Sequence, residues 1–156
     1  ISDFLSSEDV VVRNVSRVIP ARIYGVRAAT GGKVEILVLE PPKDNCSLPA
    51  LIKTRGWLKR GEIILLPGSK RALYCGKKEG FHRIKFCFNN VLEYMEKYGR
   101  MPLPPYIKRE SQDLDKDRYQ TVYAKNPGSV AAPTAGLHFS SEFIHTLENK
   151  RVEFNT

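Results

Sequence analysis

The segment that leads into His138 contains the residue types of this chain that are best suited to bind a ligand and to transfer a proton. Residues Gly128 to Gly136 are mostly small, so the backbone can approach a ligand closely. Ser140 or Ser141 then caps a predicted helix, whose free N–H groups can bind a carboxylate or phosphate. His138 lies just before the N-terminus of that helix, where an imidazole can act as a general acid or base. Taken alone, the string favours a tight structural loop with a packed histidine.

A second candidate site is the excess of positive charge between Lys53 and Lys85. The chain has 25 Lys and Arg against 17 Asp and Glu; ten of these cations and two of these anions lie in that segment, which leaves 15 of each sign elsewhere. Such a concentrated excess predicts a basic face, and phosphate backbones are its commonest partner because their neutralisation releases counterions. A solvated strand surface with alternating Lys and Arg explains the pattern equally well.

The cysteines and apolar runs indicate the cellular compartment. Cys46, Cys75 and Cys87 are odd in number and not close in sequence, which supports neither a disulfide framework nor a zinc site. No apolar run is long enough to cross a bilayer, and no secretory signal is visible. We therefore expect a cytoplasmic protein with reduced thiols and no membrane partner.

Short segments of alternating hydrophobicity between Val18 and Phe88 predict the strands that carry the basic face. Turn signals such as Gly31-Gly32 and Pro67-Gly68 separate them. Strands this short and this regularly spaced are typical of a small antiparallel barrel or sandwich. A short apolar segment before Asn14, Val10–Val12, is the first predicted strand. The others are Val18–Val26, Lys33–Glu40, Leu48–Lys53, Glu62–Leu66, Lys70–Cys75 and Phe81–Phe88.

After Phe88 the pattern becomes helical. Asn89-Asn90 can cap a helix over Val91–Tyr98 that stops at Gly99, and the prolines of Met101–Tyr106 predict an extended connector. The remaining predicted elements are a short helix around Arg118–Ala124, a loop over Asn126–Phe139, a helix from Ser140 or Ser141 through Leu147 and a strand over Arg151–Phe154.

These elements predict a mixed α+β fold. We expect residues 17–106 to form a β-barrel-like domain that is inserted into a discontinuous α/β domain made of residues 1–16 and 107–156. The chain begins without Met and ends in what the pattern indicates is mid-strand. A lone strand would be an unprotected edge, so we expect missing parts on both sides.

Four ordered segments match one known family. Asn14–Arg22 is similar to its Asn-Asn-Thr-Arg-Val-Ile-Pro-Ala-Arg motif, and Gly31–Glu35 and Gly99–Ile107 match further motifs. Tyr119–Phe139, which we call the signature segment, resembles the signature of the S-adenosylmethionine:tRNA ribosyltransferase-isomerases of the queuosine pathway. The resemblance covers nearly the whole chain and is weakest between residues 45 and 88.

The chain departs from the family pattern in two ways. Val15 loses an amide of the usual Asn-Thr pair, whereas Ser16 keeps its hydroxyl. The family's C-terminal motifs His-Val-Gly, Gly-Thr-Thr-Ser-Val-Arg and Thr-Asn-Phe-His-Leu-Pro are absent from the sequence. We therefore expect a truncated or incompletely recorded chain that is inactive alone.

The resemblance implies an unusual reaction. The enzyme transfers and isomerises the ribosyl part of S-adenosylmethionine onto 7-aminomethyl-7-deazaguanine at the wobble position of tRNA, which gives epoxyqueuosine-tRNA. S-adenosylmethionine is then a co-substrate, no cofactor stays bound and no metal is needed. The expected partners are that tRNA and S-adenosylmethionine, and we expect a monomer.

The resemblance also implies roles for individual residues. His138 is the candidate proton-transfer group, because the departing adenine needs a proton. The anchored methionine carboxylate needs cationic or N–H partners. The candidate substrate-binding residues are Arg17, Arg22, Tyr119, Tyr123, Ser129, Thr134 and Gly136, and the candidate tRNA-binding residues are Lys53, Arg55, Lys59 and Arg60.

Two other functions fit the same sequence. A non-catalytic RNA-binding barrel would use the basic segment with Trp57, Tyr74 and Phe81 as stacking residues. A metabolic enzyme would bind a small anionic substrate at the 128–139 loop. One observation separates these alternatives from the enzyme that the resemblance implies. In that enzyme, S-adenosylmethionine binding needs the 128–139 loop, and the barrel binds only tRNA.

Overall fold

The structure, a computed structural model, describes residues 1–42, 46–104, 107, 109, 111–112 and 114–156. The strands are β1 (Val10–Val12), β2 (Ser16–Val18), β3 (Arg22–Arg27), β4 (Lys33–Val38), β5 (Ser47–Thr54), β6 (Ile63–Leu66), β7 (Lys70–Lys78), β8 (Phe81–Phe86), β9 (Asn126–Ser129) and β10 (Glu153–Asn155). The α-helices are α1 (Val91–Tyr98), α2 (Asp115–Arg118) and α3 (Ser141–Asn149), and 3-10 helices span Ser2–Phe4 and Thr134–His138.

Strands β3 to β8 form a closed antiparallel barrel in the order β3-β4-β5-β8-β7-β6. Alternate side chains point inward, and isoleucines such as Ile23, Ile36, Ile64 and Ile84 are fully buried. The barrel closes where β3 meets β6, and there a Cβ on Gly25 would lie only 2.6 Å from the Leu65 carbonyl oxygen. The predicted barrel and the mixed α+β fold class are both confirmed.

Helix α1 covers part of the barrel core. Val91, Tyr94 and Met95 are buried in the same apolar cluster as the barrel interior, and the Tyr94 hydroxyl donates to the Pro67 carbonyl at 3.1 Å. The predicted bounds are confirmed, but the ends are built differently. Asn90 is left-handed (φ 59°) and its side chain makes no cap hydrogen bond to the described residues. Gly99 is extended (φ −76°), and it is glycine because a Cβ would collide with the Pro20 carbonyl oxygen.

Two parallel strand pairs join the start of the chain to its end. β1 pairs with β10, and β2 pairs with β9. Beside β2, a second apolar cluster contains the buried side chains Val18, Met101, Leu103, Tyr119 and Ala132. The division of the chain into an inserted barrel and a discontinuous α/β domain stays a prediction.

The prediction of one continuous strand over Val18–Val26 is wrong. The structure divides it into β2 and β3, because Pro20 cannot donate a hydrogen bond and the Ala21 amide turns back to the Ile19 carbonyl at 2.7 Å. This break lets Val18 join the second cluster while Ile23 enters the barrel.

The elements after residue 106 differ most from the prediction. The helix expected around Arg118–Ala124 is instead α2, which ends at Arg118, because the following residues pack inward as an irregular segment. The loop expected over Asn126–Phe139 contains β9 and a 3-10 helix, and the last strand starts at Glu153. Ser140 caps α3 as predicted, with its hydroxyl accepting from the Phe143 amide at 3.1 Å. Part of the connector Met101–Tyr106 lies outside the described residues.

Candidate functional site

The residues that carry the sequence motifs lie next to one another in space. In β2, Arg17 pairs in register with Pro127 and Val18 with Ser129, so the Asn14–Arg22 motif touches the signature segment. Met101 and Leu103, from the Gly99–Ile107 motif, share the cluster around Val18. Glu35, from the Gly31–Glu35 motif, pairs with Arg22. The four motifs therefore lie in one continuous region of the structure.

Gln120 is the main connection between the signature segment and β2. Its side-chain amide donates to the Val18 carbonyl at 2.7 Å, and its side-chain oxygen accepts from the Val18 amide at 2.9 Å. This pair of bonds replaces a strand partner on the side of β2 that faces away from β9. Sequence reasoning did not single out Gln120, since a glutamine beside buried Tyr119 has no pattern that predicts its partner.

Gly136 lies against two side chains of the same segment. A Cβ at this position would overlap the Tyr123 hydroxyl and lie 2.8 Å from Thr121 Cγ2. Glycine is therefore required here because Tyr123 packs directly over its backbone. Thr121 is buried, and its hydroxyl has no hydrogen-bond partner among the described residues. A buried hydroxyl of this kind is the type of group that a ligand or water would satisfy.

The other predicted residues of the signature segment fall into two groups. Tyr119 is buried in the second cluster, and the Ser129 hydroxyl binds the backbone of Ala131 at 2.6 and 3.1 Å. Thr134 and His138 are exposed at the two ends of the 3-10 helix. Within the described part of the chain, no residue forms a hydrogen bond or ion pair with the His138 imidazole, so its ring is open to a substrate.

The two predicted arginines both contact carboxylates of the chain. Arg17 Nη2 lies 2.5 Å from Glu96 Oε1, with about a third of each side chain exposed. Arg22 Nε lies 3.2 Å from Glu35 Oε1 without the geometry of a hydrogen bond. Both arginines are half-buried ion-pair members in this structure, and their contact with substrate stays a prediction.

Arg13 is a cation of this region that sequence reasoning missed. Its guanidinium carbon lies 5.0 Å from the ring centre of Tyr123 and 4.7 Å from that of Phe154. Its Nε is buried and has no hydrogen-bond partner among the described residues. The guanidinium is thus held between two rings by cation–π contacts and lies beside the tyrosine that covers Gly136.

A bidentate ion pair fixes the start of the segment that leads to Tyr119. Arg109 Nη1 and Nη2 each lie 2.7 Å from a different oxygen of buried Asp115, which also accepts from the Gln112 amide at 2.7 Å. The Arg109 guanidinium is the main reason that the pKa of Asp115 falls to about 2. Asp115 was not singled out from the sequence.

The four predicted tRNA-binding residues are exposed on the barrel. Lys53 lies on β5, and Arg55, Lys59 and Arg60 lie in the loop between β5 and β6. We call these four residues the basic face. Glu62, one of the two anions of this segment, is nearly buried and its Oε1 lies 2.5 Å from Arg27 Nε. Hydrogen bonds from Arg27 and from the Lys59 amide lower the pKa of Glu62 and keep it ionised. The paired Arg27 guanidinium offsets this negative charge, so Glu62 opposes the basic face only weakly.

The three candidate stacking aromatics differ in exposure. Trp57 is 88% exposed and Phe81 is 44% exposed. Tyr74 is buried, with its hydroxyl 2.9 Å from His82 Nδ1. The prediction that Tyr74 stacks on RNA is therefore wrong, because its ring fills the barrel interior.

A family model supplies the observation that decides the family. The model described as "Queuosine biosynthesis protein" matches residues 1–156, which is the whole chain. The chain belongs to the queuosine biosynthesis protein family.

Curated relatives agree with this family. Proteins named S-adenosylmethionine:tRNA ribosyltransferase-isomerase are 47% identical in Legionella pneumophila strain Philadelphia 1, over 97% of this chain, and 44% identical in Nitrosospira multiformis, over 96% of this chain. The chain covers 44% of the first relative and 42% of the second, so it spans less than half of their length. A crystal structure of S-adenosylmethionine tRNA ribosyltransferase from Thermotoga maritima aligns with 98% of this chain and 41% of that chain, at 24% identity and a TM-score of 0.41.

No described helix is long and apolar enough to cross a membrane. Within the same part of the chain, no group of three or more His, Cys, Asp or Glu side chains comes together as a metal site.

Proposed function

We propose that the protein carrying this chain is an S-adenosylmethionine-dependent tRNA ribosyltransferase-isomerase of queuosine biosynthesis. The observation that carries the proposal is the family match over residues 1–156, together with relatives of that name at 44–47% identity. The contacts that join the four motifs support it, because motif residues that serve one reaction have to meet: three of the motifs meet at β2, and the fourth contacts Arg22 through Glu35.

The proposed reaction moves the ribosyl group of S-adenosylmethionine to 7-aminomethyl-7-deazaguanine in the tRNA wobble position and rearranges it. The product is epoxyqueuosine-tRNA, and adenine and methionine are released. The positive sulfonium acidifies the neighbouring carbon, so a base could remove a proton there. The leaving adenine then needs a proton from the enzyme.

Within this chain, His138 is the proposed proton-transfer residue. Its ring is exposed two residues after Gly136, where Tyr123 and Thr121 close the backbone from one side. We assign Thr134 and the Gly136 backbone to substrate contact. Arg13 is a suitable partner for an anionic substrate group, since its guanidinium is positioned by two rings and its Nε has no partner among the described residues.

The remaining candidate residues belong either to the S-adenosylmethionine site or to the basic face. Arg17, Arg22, Tyr119, Tyr123 and Ser129 would shape or support the S-adenosylmethionine site, while the basic face would bind the phosphate backbone of tRNA without reading its sequence. We further propose a monomer that works in the cytoplasm without metal.

RNA binding without catalysis is the second candidate function. The exposed ring of Trp57 beside the basic face favours it. The two candidates make opposite predictions for small-molecule binding, since a pure RNA-binding barrel has no need of S-adenosylmethionine.

A mass-spectrometric assay separates them. The complete natural protein is incubated with S-adenosylmethionine and tRNA carrying 7-aminomethyl-7-deazaguanine, and the digested tRNA is analysed for the heavier, epoxide-containing nucleoside. We expect the modified nucleoside together with free adenine and methionine in equal amounts. We expect little or no product from the 156-residue chain alone. Tight tRNA binding with no product from the complete protein would favour the RNA-binding module.

A further inference from the structure

The loop between β5 and β6 exposes an aromatic ring to an unusual extent. Trp57 is 88% exposed, the highest value for a large apolar side chain among the described residues. A side chain of this size is normally buried, where it contributes apolar stabilisation. Its exposure on a folded loop indicates a contact surface.

The loop that carries Trp57 is held firmly by the barrel. Arg27 donates to the Trp57 carbonyl at 3.0 Å and binds both carboxylate oxygens of Glu62, at 2.5 and 3.0 Å. Glu62 in turn accepts from the Lys59 amide at 2.9 Å. The backbone on both sides of the tryptophan is therefore fixed before any partner arrives, which lowers the entropy lost on binding.

A small cavity of about 210 Å³ lies beside the Trp57 ring. Its walls combine apolar Ile52 and Leu58 with the polar side chains of Thr54, Lys77 and His82. This volume is below the range of roughly 300–1,000 Å³ for sites that enclose drug-sized ligands, and it suits one planar ring. The Thr54 hydroxyl donates to the Lys33 carbonyl at 3.0 Å, and His82 Nδ1 lies 2.9 Å from the Tyr74 hydroxyl. The Lys77 ammonium and the other imidazole nitrogen of His82 are therefore the groups that could bind the polar edge of such a ring.

The charges around the tryptophan select the partner. Arg55, Lys59 and Arg60 flank it in the loop, and Lys77 lies at the cavity, all exposed. The loop's own anion, Glu62, is paired with Arg27. Among the described residues, no carboxylate forms an ion pair with Arg55, Lys59 or Arg60. An exposed aromatic ring among such cations is complementary to unpaired nucleotides, whose bases stack while their phosphates bind the cations.

We propose that Trp57 and the cavity beside it form a stacking site for one unpaired nucleobase of RNA, with Arg55, Lys59 and Lys77 on the adjoining phosphates. This inference rests on the proposed RNA substrate and adds a base contact to the backbone contacts of the basic face. It places a single-stranded part of the RNA at this end of the barrel, since a base inside a duplex cannot stack on a side chain.

Trp57 is the only tryptophan of the chain, so its fluorescence reports on this site directly. The complete natural protein, with any tryptophan outside these 156 residues replaced by phenylalanine, is titrated with a seven-nucleotide oligoadenylate and, separately, with an abasic oligomer of the same length and charge. We expect the oligoadenylate to quench the emission in a saturable way and the abasic oligomer to leave it nearly unchanged. Equal quenching by both would overturn the stacking site.

Affinity measurements on the complete natural protein provide the second arm. Trp57→Ala should weaken oligoadenylate binding by roughly 5- to 100-fold, and Trp57→Phe should recover part of the loss because a phenyl ring still stacks. Leu51→Ala, which removes another exposed apolar side chain of the barrel, is the matched control and should change nothing. An unchanged affinity of Trp57→Ala for oligoadenylate would contradict the proposed stacking site.

The two proposals fail in different ways. If Trp57→Ala binds RNA like the parent while the complete protein still forms the modified nucleoside, the stacking site is wrong and the proposed function stands. If stacking is observed but no product forms, the enzymatic function is wrong and the stacking site stands. A Trp57 emission that shifts to shorter wavelength with protein concentration alone would assign the ring to a protein contact and overturn the inference.

Discussion

The basic face and the signature segment carry their candidate functions in opposite ways. The four cations of the basic face project from a barrel whose core they do not touch. In the signature segment, Gln120 anchors the backbone and Gly136 accommodates Tyr123, so residues that shape the site also hold the fold. Substitution on the basic face should therefore change binding alone. In the signature segment, only an exposed residue such as His138 can be removed without disturbing the structure.

The largest effect is expected from His138→Ala in the complete protein. Loss of a positioned proton donor or acceptor should lower turnover by about 10²- to 10⁴-fold, while tRNA affinity stays nearly constant. Steady-state assays with a tRNA-binding measurement check both quantities. His145→Ala, at an exposed position of α3, is the matched control and should retain activity. Full activity in His138→Ala would make this histidine a surface residue with no catalytic role.

The next largest effect concerns the basic face. Replacement of Lys53, Arg55, Lys59 and Arg60 by Ala should weaken tRNA binding and reduce the slope of log K against log salt by roughly one unit per lost phosphate contact. Filter binding between 50 and 200 mM salt should then show roughly 10²-fold less change in affinity than for the parent protein. The double variant Lys97→Ala/Lys150→Ala removes exposed cations elsewhere and should leave the slope unaltered. An unchanged slope in the fourfold variant would show that these charges are merely solvated.

A smaller effect on stability tests the packing of the signature segment. Gly136→Ala introduces a methyl group into the space occupied by the Tyr123 hydroxyl and should lower the free energy of unfolding by about 1–3 kcal/mol. Urea denaturation measures the loss. Gly128→Ala is the control, because a Cβ there has only ordinary contacts of 3.7 Å or more. Adding Tyr123→Phe to Gly136→Ala should restore part of the stability; a double variant no more stable than Gly136→Ala would refute this packing.

The smallest effect is a pH dependence at Asp115. The folded carboxyl has a pKa of about 2 against an ordinary 3.8, chiefly because Arg109 binds it. The stabilisation is therefore complete above about pH 4 and is lost as the pH falls toward 2. Asp115→Asn should cost about 1–2 kcal/mol at pH 7, since water screens the half-exposed Arg109. The difference between Asp115→Asn and the parent should shrink between pH 4 and pH 2, and the substitution Asp117→Asn at a neighbouring exposed position is the control.

The barrel could be predicted from sequence because its physics is local and repetitive. Alternating residues such as Val34, Ile36 and Val38 fill its interior, and their period follows directly from strand geometry. Tyr74 was misplaced because an aromatic residue in an alternating strand suits either face, and only the register decides which one.

The signature segment could be predicted as a candidate site, but its structure could not be predicted. Its small residues and His138 pointed to a ligand-binding loop, yet the contacts that shape it join distant residues. Gln120 binds Val18, and Arg13 lies between Tyr123 and Phe154. No periodicity encodes such pairs. Helix propensity near Arg118 was overridden in the same way, because burial of Tyr119 and Thr121 ended the helix.

The signature segment is assigned the chemistry and the basic face is assigned RNA backbone binding. The most direct test of these two assignments is a single-turnover titration of the complete protein with tRNA at saturating S-adenosylmethionine. Each variant gives a maximal rate and a half-saturating tRNA concentration from one curve. We predict that His138→Ala lowers the maximal rate and leaves the half-saturating concentration in place. The fourfold variant of the basic face should raise the half-saturating concentration and keep the maximal rate. Movement of both quantities in either variant would contradict the assignment of chemistry to the signature segment and RNA backbone binding to the basic face.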